Sequence, residues 1–246
     1  MQFEVFGTLR ATGPDGPIRL ARGQNAAVLS WLLLNAGDVV SIDSVIDVLW
    51  ERPARNAATK AKAVIREVAQ QFPAGTIEKI AGGARIDPDC HDVDSRTFED
   101  AVMTARGQVA QGSLTLARDG FERALSMWHG DPYPDLKDVL VALPTINRLV
   151  DLRQSVYEEL NAIALQAEVG YPLVAEVRSQ MTLHPQRSRL RRQLAVALYR
   201  VDRQVEALEV LRQTRLELGD VDGSARRLET AILQNDPDLE RGELDA

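Results

Sequence analysis

The sequence predicts a mainly α protein, in which a winged helix-turn-helix with a small β-sheet and wing is followed by an all-α tetratricopeptide-like domain. Three observations carry that expectation. Strand-like segments frame three helical stretches between residues 24 and 72, a glycine-centred hairpin pattern follows the third, and from residue 96 onward almost everything has helical period. The expected domains are residues 1–95 and 96–246. At 246 residues, two modest cores are the natural division.

The elements follow in order. Phe3, Val5 and Leu9 lean apolar, Gly13-Pro14-Asp15-Gly16 marks a turn, and Ile18 and Leu20 alternate with Arg19 and Ala21, so the first 22 residues read as short strands. Gln24 to Asn35 reads as a helix stopped at Asn35-Ala36-Gly37. After an extended Val39-Val40-Ser41, Asp43 to Trp50 is a second helix, buried through Val45, Ile46, Val48 and Leu49 and closed by Pro53. Ala57 to Phe72 is a third, because Ala61, Ile65, Val68 and Phe72 recur at i, i+4, i+7 and i+11. Pro73-Ala74-Gly75 ends it, and Thr76 to Ile86 around Gly82-Gly83 reads as a β-hairpin. Three helices and a two-stranded ribbon in this order are the winged form of the helix-turn-helix.

Asp87 to Ser95 reads as a solvated acidic linker. Beyond it, Phe98, Val102 and Ala105 mark one helix, and Leu116, Phe121, Ala124, Leu125 and Trp128 the next. Further helices are expected at Pro144 to Val169, Pro172 to Thr182, Arg187 to Arg200, Gln204 to Leu218 and Ser224 to Leu233. Leu194, Ala197, Leu198 and Tyr199 leading into Ala207, Leu208 and Leu211 have the small-residue and aromatic rhythm of a tetratricopeptide pair. Such repeats bury their faces only by stacking, which leaves a long surface for a partner. The fragment 96–246 is expected to fold alone, because the linker is expected to share few contacts.

Composition bounds the function. The 45% hydrophobic and 26% charged content is that of a folded globular protein. Met1 to Arg10 lacks a basic leader and an apolar core, the apolar run at Val28 to Leu34 is far too short for a membrane span, and Cys90 is the sole cysteine. A cytoplasmic protein without disulfides, membrane contact or a thiolate zinc site is expected. The net charge of −7 divides into −2 for residues 1–95 and −5 for the rest. That argues against coating nucleic acid, yet leaves room for a sequence reader with a local basic patch. Asp87, Asp89, Cys90, His91, Asp92 and Asp94 lack the glycine and terminal carboxylate of a calcium loop, so no metal is expected. His91, His129 and His184 stand near no nucleophile motif, and no phosphate-cradling G-x-x-x-x-G-K-[ST] loop occurs. Neither catalysis nor a cofactor is expected.

The chain resembles the Streptomyces antibiotic regulatory proteins, which join an OmpR-like winged helix to a bacterial transcriptional activation domain. The similarity rests on Phe6-Gly7 with Leu9, Leu32-Leu33-Leu34 through Gly37-Asp38-Val39-Val40-Ser41-Ile42-Asp43, and Leu49-Trp50. It continues through Gly82-Gly83-Ala84-Arg85-Ile86, Asp94, Phe98, Ala124-Leu125 with Trp128 and Gly130, and His184-Pro185. Leu190, Ala197-Leu198-Tyr199-Arg200, Arg203-Gln204, Glu206-Ala207-Leu208 and Leu218-Gly219 complete it. The resemblance implies an activator that binds direct repeats in promoter DNA as a homodimer and engages RNA polymerase holoenzyme, often in a secondary-metabolite gene cluster.

The third helix is the candidate reader. With its apolar stripe inward, a step of about 100° per residue turns Thr59, Lys62, Ala63, Arg66, Glu67 and Gln70 outward. Thr59, Lys62, Arg66 and Gln70 are the expected DNA contacts on the helix, with Lys79 and Arg85 on the wing. Arg85 resembles the family's wing arginine, although Ala84 stands where a tyrosine is usual. The family's late helix arginines are replaced by Glu67, Ala69 and Gln70, which removes phosphate contacts. Two further readings stand beside the DNA-binding activator: a protein-interaction co-regulator with a winged helix of reduced DNA affinity, and a small-molecule sensor using a groove in the helical domain.

Overall fold

The computed structural model describes residues 1–87, 89, 91–167 and 170–241, with side chains up to Leu239. Two compact units are present, Met1–Arg153 and Gln154–Ala246.

In the first unit β1 (Gln2–Glu4) is flanked by β2 (Arg10–Gly13) on one side and β7 (Asp92–Val93) on the other, and β3 (Gly16–Ile18) completes the sheet in the order β3-β2-β1-β7. Gly13 pairs with Gly16, so Pro14-Asp15 forms the tip of a two-residue hairpin where the turn signal lies. Phe3 faces Ala11 across the sheet, and both are buried. The helical trio follows: α1 (Gln24–Leu34), α2 (Ile42–Leu49) and α3 (Ala57–Ala69). Ser41 starts α2 by accepting the Ser44 N–H at 3.1 Å, while the Ser44 hydroxyl donates back to the Ser41 carbonyl at 2.9 Å and accepts the Trp31 indole N–H. The wing is a three-stranded sheet in the order β4 (Val40–Ser41), β6 (Gly83–Arg85), β5 (Glu78–Ile80). Phe72, expected as the last helical residue, lies beyond α3 and packs edge-on against Phe3.

The solvated acidic linker is not what the chain builds. Asp92 and Val93 form a strand parallel to β1, and the ring of His91 packs edge-on against Phe3. Asp94 begins α4 (Asp94–Ala110), and its carboxylate accepts the N–H groups of Val5 at 2.9 Å and Phe6 at 3.2 Å. Burial pushes this carboxyl above the ordinary aspartate range, and the donated amide hydrogens pull it back. Ser95 is buried, its hydroxyl 2.9 Å from that of Tyr133. The physical reason is that the edge of β1 needs a partner, and these few residues supply its backbone and acceptor groups. Cys90 lies outside the described residues.

The helices that follow lock onto the same edge. On α5 (Leu114–Ser126) the buried stripe is Ala117, Gly120, Phe121 and Ala124, so Leu116, expected inward, is exposed. After α5, Trp128 stacks on Phe6 with centroids 4.0 Å apart, Phe98 meets both edge-on, and Arg153 lies over the indole at 4.8 Å. The N–H of Tyr133 donates to the Val5 carbonyl at 2.8 Å and that of Gly7 to Asp131 at 2.9 Å. Gly7 and Gly130 pass so closely that a Cβ on Gly130 would lie 3.0 Å from the Gly7 Cα. β1, α4, α5 and the loop after α5 thus share one core.

Helix α6 (Leu143–Leu165) contains the division between the units. The second unit holds α7 (Tyr171–Leu183), α8 (Ser188–Tyr199), α9 (Gln204–Leu218), α10 (Ser224–Gln234) and the short α11 (Asp238–Arg241). The expected helix end at Val169 lies outside the described residues. Leu194, Ala197, Leu198, Ala207 and Leu211 are buried together, as the tetratricopeptide rhythm predicts. Polar latches join neighbouring helices: Arg191 with Glu217 at 2.6 Å, Arg187 with Glu158 at 3.1 Å, Arg215 with Glu229 at 3.0 Å and Arg178 with Glu206 at 3.4 Å. Arg200 donates to the carbonyls of Leu165 and Ala167, and Gln204 to that of Ile232, which closes two helix C-termini.

Candidate nucleic-acid interface

Helix α3 buries Ala57, Ala61, Val64, Ile65 and Val68 against its own unit. The opposite side carries Thr59, Lys62, Arg66 and Gln70, all exposed, as the apolar spacing predicts. Glu67 is exposed on one flank, and Ala63 is half-buried. Lys60, which the sequence reading left out, is exposed beside Glu67. Its signal was compositional: the chain has four lysines, Lys60, Lys62, Lys79 and Lys137, and three of them sit on α3 or the wing. Lysine is a compact, hydrated charge suited to phosphate.

Eight exposed cations lie between residues 19 and 79: Arg19, Arg22, Arg52, Arg55, Lys60, Lys62, Arg66 and Lys79. Among the described residues none of them makes an ion pair with a carboxylate. The arginine latches of the second unit show the contrast, since there the charge is consumed by glutamates. The net charge of residues 1–95 therefore understates how many free cations that segment presents.

The wing departs from the simple expectation. β5 and β6 pair Glu78 with Arg85, and the carboxylate accepts from the guanidinium at 2.7 and 3.2 Å. This bond holds the Arg85 group above its ordinary pKa and ties its charge across the hairpin to Glu78. Lys79 is exposed on β5 and unpaired. Gly82 turns the hairpin with φ +88°, and Gly83 passes where a Cβ would meet the Val40 carbonyl oxygen at 2.0 Å. Glu78→Gln is expected to free Arg85, tighten DNA binding and steepen its salt dependence by up to about one unit of slope per protomer. A salt titration of operator binding checks it, and an unchanged slope means Arg85 stays off the backbone.

The family described as "Bacterial transcriptional activator domain" matches residues 93–234. The regulatory protein DnrI of Streptomyces peucetius is 30% identical over 98% of this chain and 95% of its own length. The chain belongs to the bacterial transcriptional activator domain family, and within it to the Streptomyces antibiotic regulatory proteins. The regulatory protein AfsR of Streptomyces coelicolor is 29% identical over 97% of this chain, which spans 25% of AfsR. The structure of Mycobacterium tuberculosis EmbR in complex with a low affinity phosphopeptide superposes with a TM-score of 0.86 at 24% identity, covering 98% of this chain and 68% of EmbR. It shares the fold, a winged helix followed by an all-helical part. The family consists of transcriptional regulators, not enzymes.

The residues that resemble the family have now a physical role. Phe6, Gly7, Asp94, Phe98, Trp128 and Gly130 build the core that joins β1 to the activator helices. Arg200, Gln204 and Glu206 are latches among the later helices. None of these family markers lies on α3. Among the described residues no helix is long and apolar enough to cross a membrane.

Proposed function

We propose that this chain is a cytoplasmic activator that binds direct repeats in promoter DNA as a homodimer, with α3 in the major groove and the wing beside it. In this reading residues 1–95 bind DNA through Thr59, Lys62, Arg66, Gln70, Lys79 and Arg85, and residues 96–246 engage RNA polymerase holoenzyme at a secondary-metabolite gene cluster. The observation that carries it is the set of exposed, unpaired cations on α3 and the wing, Lys60, Lys62, Arg66 and Lys79. With Lys60, Lys62 and Lys79 on phosphates, three contacts per protomer at about −0.9 each give a salt slope of about −2.7, or about −5 for a dimer.

Glu67 supplies the test. Its carboxylate on the flank of α3 repels nearby phosphates, so Glu67→Arg is expected to strengthen binding and steepen the slope by about one unit per protomer. Titrating an operator across salt with parent and variant measures both. If neither affinity nor slope changes, α3 does not face DNA. The co-regulator reading, favoured by Glu67 and by the Glu78–Arg85 pair, then takes first place.

A further inference from the structure

We propose that α3 selects a guanine through Arg66 and an adenine within two base pairs of it through Gln70, while Lys62 and Lys60 hold the backbone on either side. The inference rests on the DNA-binding reading above and specifies what that site takes. The burial pattern decides the roles. The buried residues Ala57, Ala61, Val64, Ile65 and Val68 centre on one line of the helix. At about 100° per residue, Thr59, Arg66 and Gln70 lie within about 20° of the opposite line, and Ala63 lies about 40° from it. These residues face straight away from the core and form the floor-directed seam.

The other polar residues stand on the walls. Lys62 lies about 60° to one side of the seam, and Glu67 and Lys60 lie about 80° and 100° to the other. A groove-bound helix brings its walls to the phosphates and its seam to the base edges. Arg66 makes no ion pair among the described residues, so its planar fork is available to guanine O6 and N7. Gln70 lies one turn further on, about 6 Å along the axis, which is under two base-pair steps of about 3.4 Å. As the C-cap it keeps right-handed helical backbone angles, φ −72° and ψ −15°, so it continues the seam. A glutamine amide pairs with adenine N6 and N7. The half-buried methyl of Ala63 is recessed between Thr59 and Arg66, where a small side chain lets the seam approach the bases closely.

Selection from randomised duplexes, with the parent, Arg66→Ala, Gln70→Ala and Lys62→Ala, tests this. The parent is expected to enrich a repeat containing the guanine and the nearby adenine. Arg66→Ala is expected to flatten the guanine position alone, and Gln70→Ala the adenine position alone. Changing the guanine is expected to weaken the parent about 5- to 100-fold and to leave Arg66→Ala nearly indifferent. Lys62→Ala is expected to weaken every sequence alike without altering the motif. If the parent enriches a motif that both seam variants share unchanged, the assignment is overturned and the DNA-binding reading stands. If the parent enriches nothing, the DNA-binding reading falls, and the assignment with it.

Discussion

Trp128→Ala is expected to lower the stability of the Met1–Arg153 unit by about 3–5 kcal/mol, the range for deleting a large aromatic from a core. Trp128 is 8% exposed, stacks on Phe6, meets Phe98 edge-on and carries Arg153 over its face. Its removal leaves a cavity beside Phe6 and Phe98, whose rings both lose the indole that packs on them. The loss reaches the winged helix although Trp128 lies in the family's activator domain. Trp128→Phe is expected to cost far less, about 1 kcal/mol, because the stack survives and the indole N–H has no hydrogen-bond partner to lose. Urea denaturation followed by circular dichroism measures both. Equal losses for the two variants would mean that the ring stack contributes nothing.

The wing glycines give the second large effect. A Cβ on Gly83 would lie 2.0 Å from the Val40 carbonyl oxygen and 2.9 Å from its carbon, both backbone atoms that cannot rotate away. Gly83→Ala must therefore part β4 from β6, at a cost of about 3 kcal/mol. Gly82→Ala meets open space and costs only the strain of its φ, about 1–2 kcal/mol. The order is the test: thermal melts that place Gly82→Ala below Gly83→Ala would show that β4 does not hold the wing. With β4 parted from β6, Gly83→Ala is also expected to weaken operator binding by displacing Lys79.

The three helices and the hairpin were legible because their apolar positions recur at helical spacing and their turns carry glycine. The outward face of α3 followed directly, since burying Ala61, Ile65 and Val68 fixes where Thr59, Lys62, Arg66 and Gln70 point. β7 was hidden because two residues carry no period, and acidic neighbours make a strand look like solvated chain. The Glu78–Arg85 pair depends on strand register, which spacing alone does not state. Leu116 misled because an exposed leucine at a helix start reads as core until its neighbours Ala117 and Gly120 are seen to face inward. Lys60 needed a count of where lysines fall rather than a helical wheel.

The pairing of β1 with β7 sets an order of events during synthesis. Gln2 emerges from the ribosome first, but its strand partner Asp92 follows 90 residues later, and the Phe6 ring waits for Trp128. At about 5–20 residues per second, the first strand spends roughly 5 to 20 s with one edge open before that partner arrives. A nascent reader therefore stays incomplete until the leading helices of its activator half have been made. A message truncated before Trp128 leaves the reader without the last ring of its own core.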